Sequence, residues 1–375
     1  MRGDPFGMMR TGGALLLLAA PPLLCLCTLG TPNEISFSLP PQAFPHPAQP
    51  ANWIAVGGLS ALLLVLGALT TRWLCSCCGK FPKKRKGSVW RLLLAGLPLV
   101  GFWVLAWNRF GWMGAFQFHT FTALWLSFLI FANVWVVELG GAAPLFRNSK
   151  NYFLLFPTSA VMWWSFELLN RFSQNWQYTN LQDFSATTYV LFASLSFATV
   201  LPAISVVYSL LDRILSEPRN TQSSFTLRLK SEEVYALSGA SLVVLFLLPR
   251  YPDQLYPIVW IAPVLLYFAI SRLFKTPCML DELAFGRYST VVKYSLSGIL
   301  CGFLWELWNL YSLTQWTYRI SYVGIVHLFE MPLLGYLGYV PFGIFCGLVI
   351  ESIRSPSPTP AAVPTDLEDH FPLLL

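Results

Sequence analysis

Charge is what this chain is short of. Lys, Arg, Asp and Glu make up 11% of its 375 residues, against roughly a quarter in soluble domains. That shortage excludes a water-soluble globular protein. The basic residues are spread over loops rather than gathered on one face, so the net charge of +6 carries no argument for nucleic acid. Histidine is scarce as well, with four residues, and no H-E-x-x-H or comparable spacing occurs. The eight cysteines do not pair up in spacing: Cys25 and Cys27 lie in an apolar run, and Cys278, Cys301 and Cys346 are scattered. Neither a disulfide framework nor a structural zinc site is expected. A phosphate-cradling glycine loop and a nucleophile elbow are both lacking, and the largest soluble piece is a loop of about twenty residues. Any ligand chemistry therefore takes place in or at a membrane.

What the chain has instead is apolar length. Hydrophobic residues reach 55% and the mean hydropathy is +0.56, which reads as an all-α, polytopic integral membrane protein. The 15 Trp and 16% aromatic content suit membrane interfaces, where amphipathic rings sit at headgroup level. Residues 1–30, with Arg2 and Arg10 ahead of an apolar run broken by Pro21 and Pro22, read as a signal peptide or an uncleaved signal anchor. Residues 31–52 hold six prolines and read as an extended, disordered exterior linker.

The first secure span is 53–71, and it ends in a loop over 72–91 with seven basic residues and no acid. By the positive-inside rule that loop is cytoplasmic. It serves as an orientation signal, or alternatively as an anionic-lipid contact with Cys75, Cys77 or Cys78 acylated. Further spans then alternate across 89–107, 118–138, 152–170, 189–211, 234–248, 257–274, 292–310 and 322–350, each near the ~20 residues that cross a bilayer. Arg147, Lys150, Arg213, Arg228, Lys230, Arg272 and Lys275 fall in the loops this alternation makes cytoplasmic, and exterior loops carry single arginines. Nine transmembrane helices plus the N-terminal segment are expected. The loop at 216–231 and a disordered tail at 354–375 lie on the cytoplasmic side.

Two stretches repeat each other. Glu167, Asn170 and Ser173 match Glu306, Asn309 and Ser312 at a spacing of 139 residues, and Trp176 and Tyr178 match Trp316 and Tyr318 at 140. One inserted residue accounts for the change. The two copies lie on the fourth and eighth spans, which both run outward. The expected architecture is two parallel four-helix repeats, 88–215 and 232–353, related by an axis along the membrane normal.

A carboxylate in hydrocarbon costs roughly 2.5–3.5 kcal/mol, so these acids must face protein. Counting residues along each span puts Glu167, Glu306, His327 and Glu330 in the outer half of the bilayer, with His119 at the outer start of its span. Glu167 with Asn170, Glu306 with Asn309, and His327 with Glu330 would each share a helix face. Together they are expected to line one outward cavity walled by Trp305, Trp308 and Tyr336, with Glu167, Asn170 and Asn309 binding substrate. Glu330 is singled out as an acid because its counterpart, taking FATVLP against LFEMP, is Ala198. Glu306 is the second candidate acid and His327 their partner. Pro332 would kink the last span beside Glu330. No metal is expected from His327, Glu330 and Glu306, and no cofactor is implied. The plain alternative is that Glu and Asn hydrogen-bond across helices and hold the repeats together. The W-x-Y turns read as interface belt.

At FEMPLLGYLGYVPFG and the E-x-x-N…W-x-Y block the chain resembles a group of uncharacterised bacterial multi-pass membrane proteins, which implies a bacterial inner membrane. More remotely, the order of Glu306, Trp316, and Glu330 with Pro332 is similar to the membrane-bound lycopene cyclase type. That family places Pro before a pair of acids; here one Glu precedes Pro332. The resemblance implies acid-catalysed chemistry on an isoprenoid by a buried carboxylic acid.

Three functions stay open on the sequence: an intramembrane enzyme acting on a lipid or isoprenoid, a proton-coupled transporter of a small or lipidic substrate, and a membrane scaffold. The partners expected are membrane lipid and a hydrophobic small molecule, not nucleic acid. The orientation is directly testable. A single cysteine introduced as Lys84→Cys in a Cys-free background should resist an impermeant thiol reagent in intact cells and react once the membrane is permeabilised. Labelling of intact cells would invert the topology.

Overall fold

The computed structural model describes residues 7–31, 35–42, 47–77, 88–181, 184–215 and 226–353. The basic cluster at 80–86 with Cys78, the loop at 216–225 and the tail at 354–375 lie outside the described residues. Apolar runs form α1 (Gly7–Leu29), α2 (Trp53–Cys77), α3 (Val89–Trp107) and α4 (Thr120–Glu138). A one-turn helix α5 (Pro144–Arg147) leads into α6 (Ser149–Ser173), whose first turn is capped by Asn148 accepting from Asn151 N at 3.2 Å. Strand β1 (Trp176–Tyr178) follows, then α7 (Ala186–Phe197) and α8 (Val200–Ile214). The second half runs through α9 (Ser231–Leu247), the short α10 (Pro252–Leu255), α11 (Ile258–Leu273), α12 (Ser289–Asn309) and β2 (Trp316–Tyr318). It closes with the two-residue strands β3 (His327–Leu328) and β4 (Met331–Pro332) and with α13 (Tyr339–Ile353).

Helix α3 lies along α4, α9 along α11, and α12 between α8 and α13. Charged groups gather at the two ends of the bundle. At one end Lys293 Nζ meets Asp212 Oδ1 at 2.8 Å, Arg91 pairs with Glu138 at 3.2 Å, and Arg213 Nε donates to Leu139 O at 2.7 Å. At the other, Arg319 pairs with Asp253 at 3.0 Å and Arg109 donates to Tyr311 O at 2.7 Å. Between these ends the flanks expose Leu64, Leu94, Val161 and Leu195, an apolar girdle that water does not favour. Six helical segments are long and apolar enough to cross a bilayer: Gly7–Leu29, Trp53–Cys77, Val89–Trp107, Gly114–Glu138, Ala186–Ile214 and Leu333–Ile353. The protein is an all-α, multi-pass membrane protein surrounded by lipid.

Helix α1 packs with one face on the bundle, against α9, α11, α6 and α13. Its Arg10 is buried, donating to Thr276 Oγ1 at 3.0 Å with its guanidinium over the Tyr267 ring, and Thr11 lies 3.3 Å from Ser352 Oγ. Over its described parts the proline-rich linker is docked rather than disordered. Phe37 sits edge-on to Phe172, Gln49 N donates to Ser321 Oγ at 3.0 Å, and Asn52 N donates to Tyr322 O at 2.9 Å. Helix α2 stands apart. Of its 25 residues only Val56 and Cys77 are buried, and Val56 packs with Val323 and Leu334 in a small satellite cluster.

The stretch 322–350 is not one kinked helix. Residues 327–332 form a hairpin in which His327 faces Pro332 and Leu328 faces Met331, and a 3-10 turn over Leu333–Gly338 precedes α13. The reason is local. Phe329 takes a positive φ of 58° at the hairpin tip, Pro332 has no amide hydrogen to give a helix, and Gly335 and Gly338 weaken helix between two prolines. His327 and Glu330 therefore share no helix face.

Glycines set how closely α12 and α13 approach. A β-carbon at Gly298 would collide with Tyr339 O, one at Gly343 with Tyr294 O, and one at Gly302 with the Tyr339 ring. Gly298→Ala or Gly343→Ala should therefore cost about 1–3 kcal/mol through overpacking, read as a lower melting temperature in detergent. Gly101→Ala, where a β-carbon meets open space, should leave melting unchanged or raise it. Equal behaviour of the three would refute the close contact.

Candidate functional site: two clamped carboxylates around an apolar cavity

Each E-x-x-N block folds the chain back on its own helix. As the chain leaves α6, Asn170 Nδ2 donates to Trp176 O at 2.6 Å, while its Oδ1 accepts from Asn175 N at 2.8 Å and Trp176 N at 3.2 Å. At the end of α12, Asn309 Nδ2 donates to Trp316 O at 2.7 Å and Oδ1 accepts from Trp316 N at 2.9 Å. An amide side chain thus pairs with a peptide as a neighbouring strand would, donor to acceptor and acceptor to donor. The clamp turns the strand down along the helix. Two residues on, the tyrosine meets the glutamate one turn before the asparagine: Tyr178 OH donates to Glu167 Oε1 and Tyr318 OH to Glu306 Oε1, both at 2.6 Å. This geometry accounts for the spacing E-x-x-N…W-x-Y. The two W-x-Y segments point into the protein and are not an interface belt.

The clamped strands pair with each other. β1 and β2 run antiparallel with Trp176 opposite Tyr318, Gln177 opposite Thr317 and Tyr178 opposite Trp316. Thr179 N to Gln315 O at 2.8 Å and Arg319 N to Asn175 O at 2.7 Å extend the ladder. The non-helical backbone between the halves is thereby satisfied within the protein.

Against this ribbon lies a cavity of about 420 Å³, walled chiefly by Trp163, Trp176, Trp260, Trp305 and Trp316 with the phenols Tyr178, Tyr318 and Tyr339. Its lining is overwhelmingly apolar, and its size falls within the ~300–1,000 Å³ of small-molecule pockets. Neither glutamate lines it. Both stand behind the wall, 3% and 0% exposed for Glu167 and Glu306, and reach it through their phenols. Among the lining residues, burial pushes the Tyr256 phenol up to about 12.

The two carboxylates are not equivalent. Glu167 Oε1 accepts three bonds, from Tyr178, from Trp176 Nε1 at 3.0 Å and from Trp163 Nε1 at 3.1 Å. Glu306 Oε1 accepts two phenols, Tyr318 and, at 2.7 Å, Tyr339. Its Oε2 is buried with no hydrogen-bond partner among the described residues. Tyr339 reaches it because the absent side chain of Gly302 leaves room for the Tyr339 ring one turn below.

Of the residues expected to line the cavity, Trp305 does; Glu167 and Glu306 stand behind the wall, and Asn170 and Asn309 spend their side chains on the ribbon. Trp308 is instead packed edge-on against Trp103, Trp125 and Phe128, away from the cavity lining. Tyr336 also lies off it, donating to Leu328 O at 3.2 Å. His327 is exposed on the hairpin. Glu330 is half-buried beside it, accepting from Gln315 Nε2 at 3.1 Å, and His119 stacks edge-on with Phe192. Among the described residues no cluster of three or more His, Cys, Asp or Glu is placed to hold a metal ion. The phenols of Tyr178, Tyr318 and Tyr339 are the site residues that sequence reasoning missed. The first two were visible in the W-x-Y spacing; Tyr339, thirty-three residues beyond Glu306, left no local signal. The chain matches no protein-family model, no curated protein and no solved structure.

Proposed function

We propose that the chain is an intramembrane enzyme performing acid–base chemistry on an apolar, isoprenoid-class lipid held in the aromatic cavity. The observation that carries this reading is the asymmetry of the two acids. Glu167 gathers one phenol and two indoles on Oε1 and serves as the architectural copy. Glu306 keeps one buried oxygen unpaired while two phenols carry it to the cavity wall. A carboxyl group with a free oxygen can hold and return a proton, and Tyr318 and Tyr339 are the groups in contact with a substrate. Glu330 belongs to the hairpin that closes the second half and is assigned a positioning role through Gln315, with His327 outside the site.

The same reading includes nine spans after α1, the five apolar segments from α2 onward together with α6, α9, α11 and α12, and two parallel repeats. Two observations support the repeats. The ribbon register is symmetric about Gln177 and Thr317, as a two-fold axis along the membrane normal would produce. In addition, α8 and α13 begin 139 residues apart, at Val200 and Tyr339, each with proline as its third residue, Pro202 and Pro341. This register sets Ala198 opposite Leu337 rather than Glu330. The buried contacts of Arg10 favour α1 as an uncleaved anchor. A rocking carrier is disfavoured because movement of the halves would break the β1–β2 ribbon.

The test is Glu306→Gln, which preserves shape and the Oε1 acceptor. In membranes of cells making the protein, lipid mass spectrometry should show the product-to-substrate ratio falling about 10²-fold or more, the range for a lost general acid or base, with melting nearly unchanged. Glu167→Gln should retain activity, whereas Glu167→Ala, which strands three buried donors, should lose stability by about 1–3 kcal/mol for each donor left unpaired. Full activity in Glu306→Gln would refute the assignment.

A further inference from the structure

The cavity lining runs out onto the flank of the bundle between α2 and α11. Leu62 of α2 and Ile261 of α11 both line it, and each is 46% exposed. Pro257, just ahead of α11, also lines it and is exposed. Other lining residues are buried, Trp176 and Trp305 at 4% and 7% exposure. On α2 the lining residues Leu59, Leu62 and Leu66 form one stripe at helical spacing, and Val65 and Leu69 beside that stripe are exposed. One apolar surface thus continues from the chamber wall to the lipid-facing flank.

The two posts of this opening are tied together where they begin. Ahead of α2, Asn52 N donates to Tyr322 O at 2.9 Å and Gln49 N to Ser321 Oγ at 3.0 Å. Ahead of α11, Asp253 accepts from that same Ser321 Oγ at 2.5 Å and from Gln49 Nε2 at 3.4 Å, and it pairs with Arg319 at 3.0 Å. Beyond this knot α2 buries Val56 in its first turn and then nothing until Cys77. A helix with so few buried contacts opens at small cost, and the knot gives it a fixed end to swing from.

We propose that the opening between α2 and α11 is a lateral portal, through which an apolar chain of a membrane lipid passes between bilayer and cavity, with α2 as the moving post. The proposal rests on the reading of the cavity as a lipid site and deepens it by naming the source of the ligand as the bilayer rather than water. Leu62, Pro257 and Ile261 offer a polar solute no side-chain partner on its way in, and its desolvation would go uncompensated. A hydrocarbon chain leaves acyl neighbours for leucine and isoleucine, which are no less apolar, and crosses without a change of solvent.

The experiment uses the full chain in lipid nanodiscs and a hexadecane chain carrying a diazirine, photolysed after increasing times of incubation. Mass spectrometry then locates the label. Labelling around Trp163 and Trp305 reports entry into the cavity, and labelling around Leu94, exposed on α3, reports partition into the bilayer. Leu62→Trp and Ile261→Trp, both at exposed positions, should each slow cavity labelling about 5-fold or more through crowding of the passage. The final level of cavity labelling and the labelling around Leu94 should be unchanged. Leu62→Ala should speed entry, and Leu195→Trp, exposed on α7 away from the lining, should have no effect. Unaltered rates in both tryptophan variants of the portal, or equal slowing by Leu195→Trp, overturn the portal and leave the lipid cavity standing. A lower final level at an unaltered rate does the same, because it places the crowding in the chamber rather than in the passage. No cavity labelling of the unsubstituted protein at any time overturns the lipid-site reading, and the portal with it.

Discussion

Everything around the cavity hangs on a side chain imitating a strand. An apolar bundle has little water with which to satisfy a peptide group that leaves its helix, and the chain must leave a helix twice here to connect the halves. Asn170 and Asn309 solve the problem identically, offering each departing tryptophan the donor and acceptor a neighbouring backbone would give. Once the first residue of each strand is fixed, its free edge can take the other strand as a partner. The tyrosine position, the pairing of the halves and the roof of the cavity all follow from those two amides.

The glycine contact between α12 and α13 supplies the second constraint. It brings Tyr339 onto the helix that carries Glu306 and gives that acid a phenol from a second element. In the first half the extra donors to Glu167 are indoles, Trp163 of α6 and Trp176 of β1. Similar backbones therefore hold acids in different company, one with a phenol and two indoles and the other with two phenols. A few wall residues are enough to make the two clamps chemically different.

How much of this the sequence could reveal depends on range. Composition gave the membrane class, since burial of so many apolar residues leaves no other solvent. The E-x-x-N…W-x-Y repeat was legible because a local clamp demands fixed spacing, and it pointed to Glu167, Asn170, Glu306 and Asn309. The hairpin at 327–332 was not legible. A hydropathy window averages over its few residues, and the apolar run continues on both sides into what looks like a span. That error carried His327 and Glu330 onto a helix face they do not occupy. The misplacement of Trp308 and Tyr336 has another cause: helical periodicity says which residues turn inward, not whether they meet a cavity or another ring. Tyr339 was invisible because its partner is set by helix packing.

Helix α2 carries a consequence of a different kind. Leu59, Leu62 and Leu66 complete one side of the cavity, yet of this helix only Val56, near its N-terminal end, and Cys77, at its last residue, are buried. One wall of the chamber is thus pressed into place by the surrounding acyl chains as much as by protein contacts. The volume of the chamber is then partly a property of the bilayer, and lateral pressure, acyl composition and detergent become determinants of what the protein can hold.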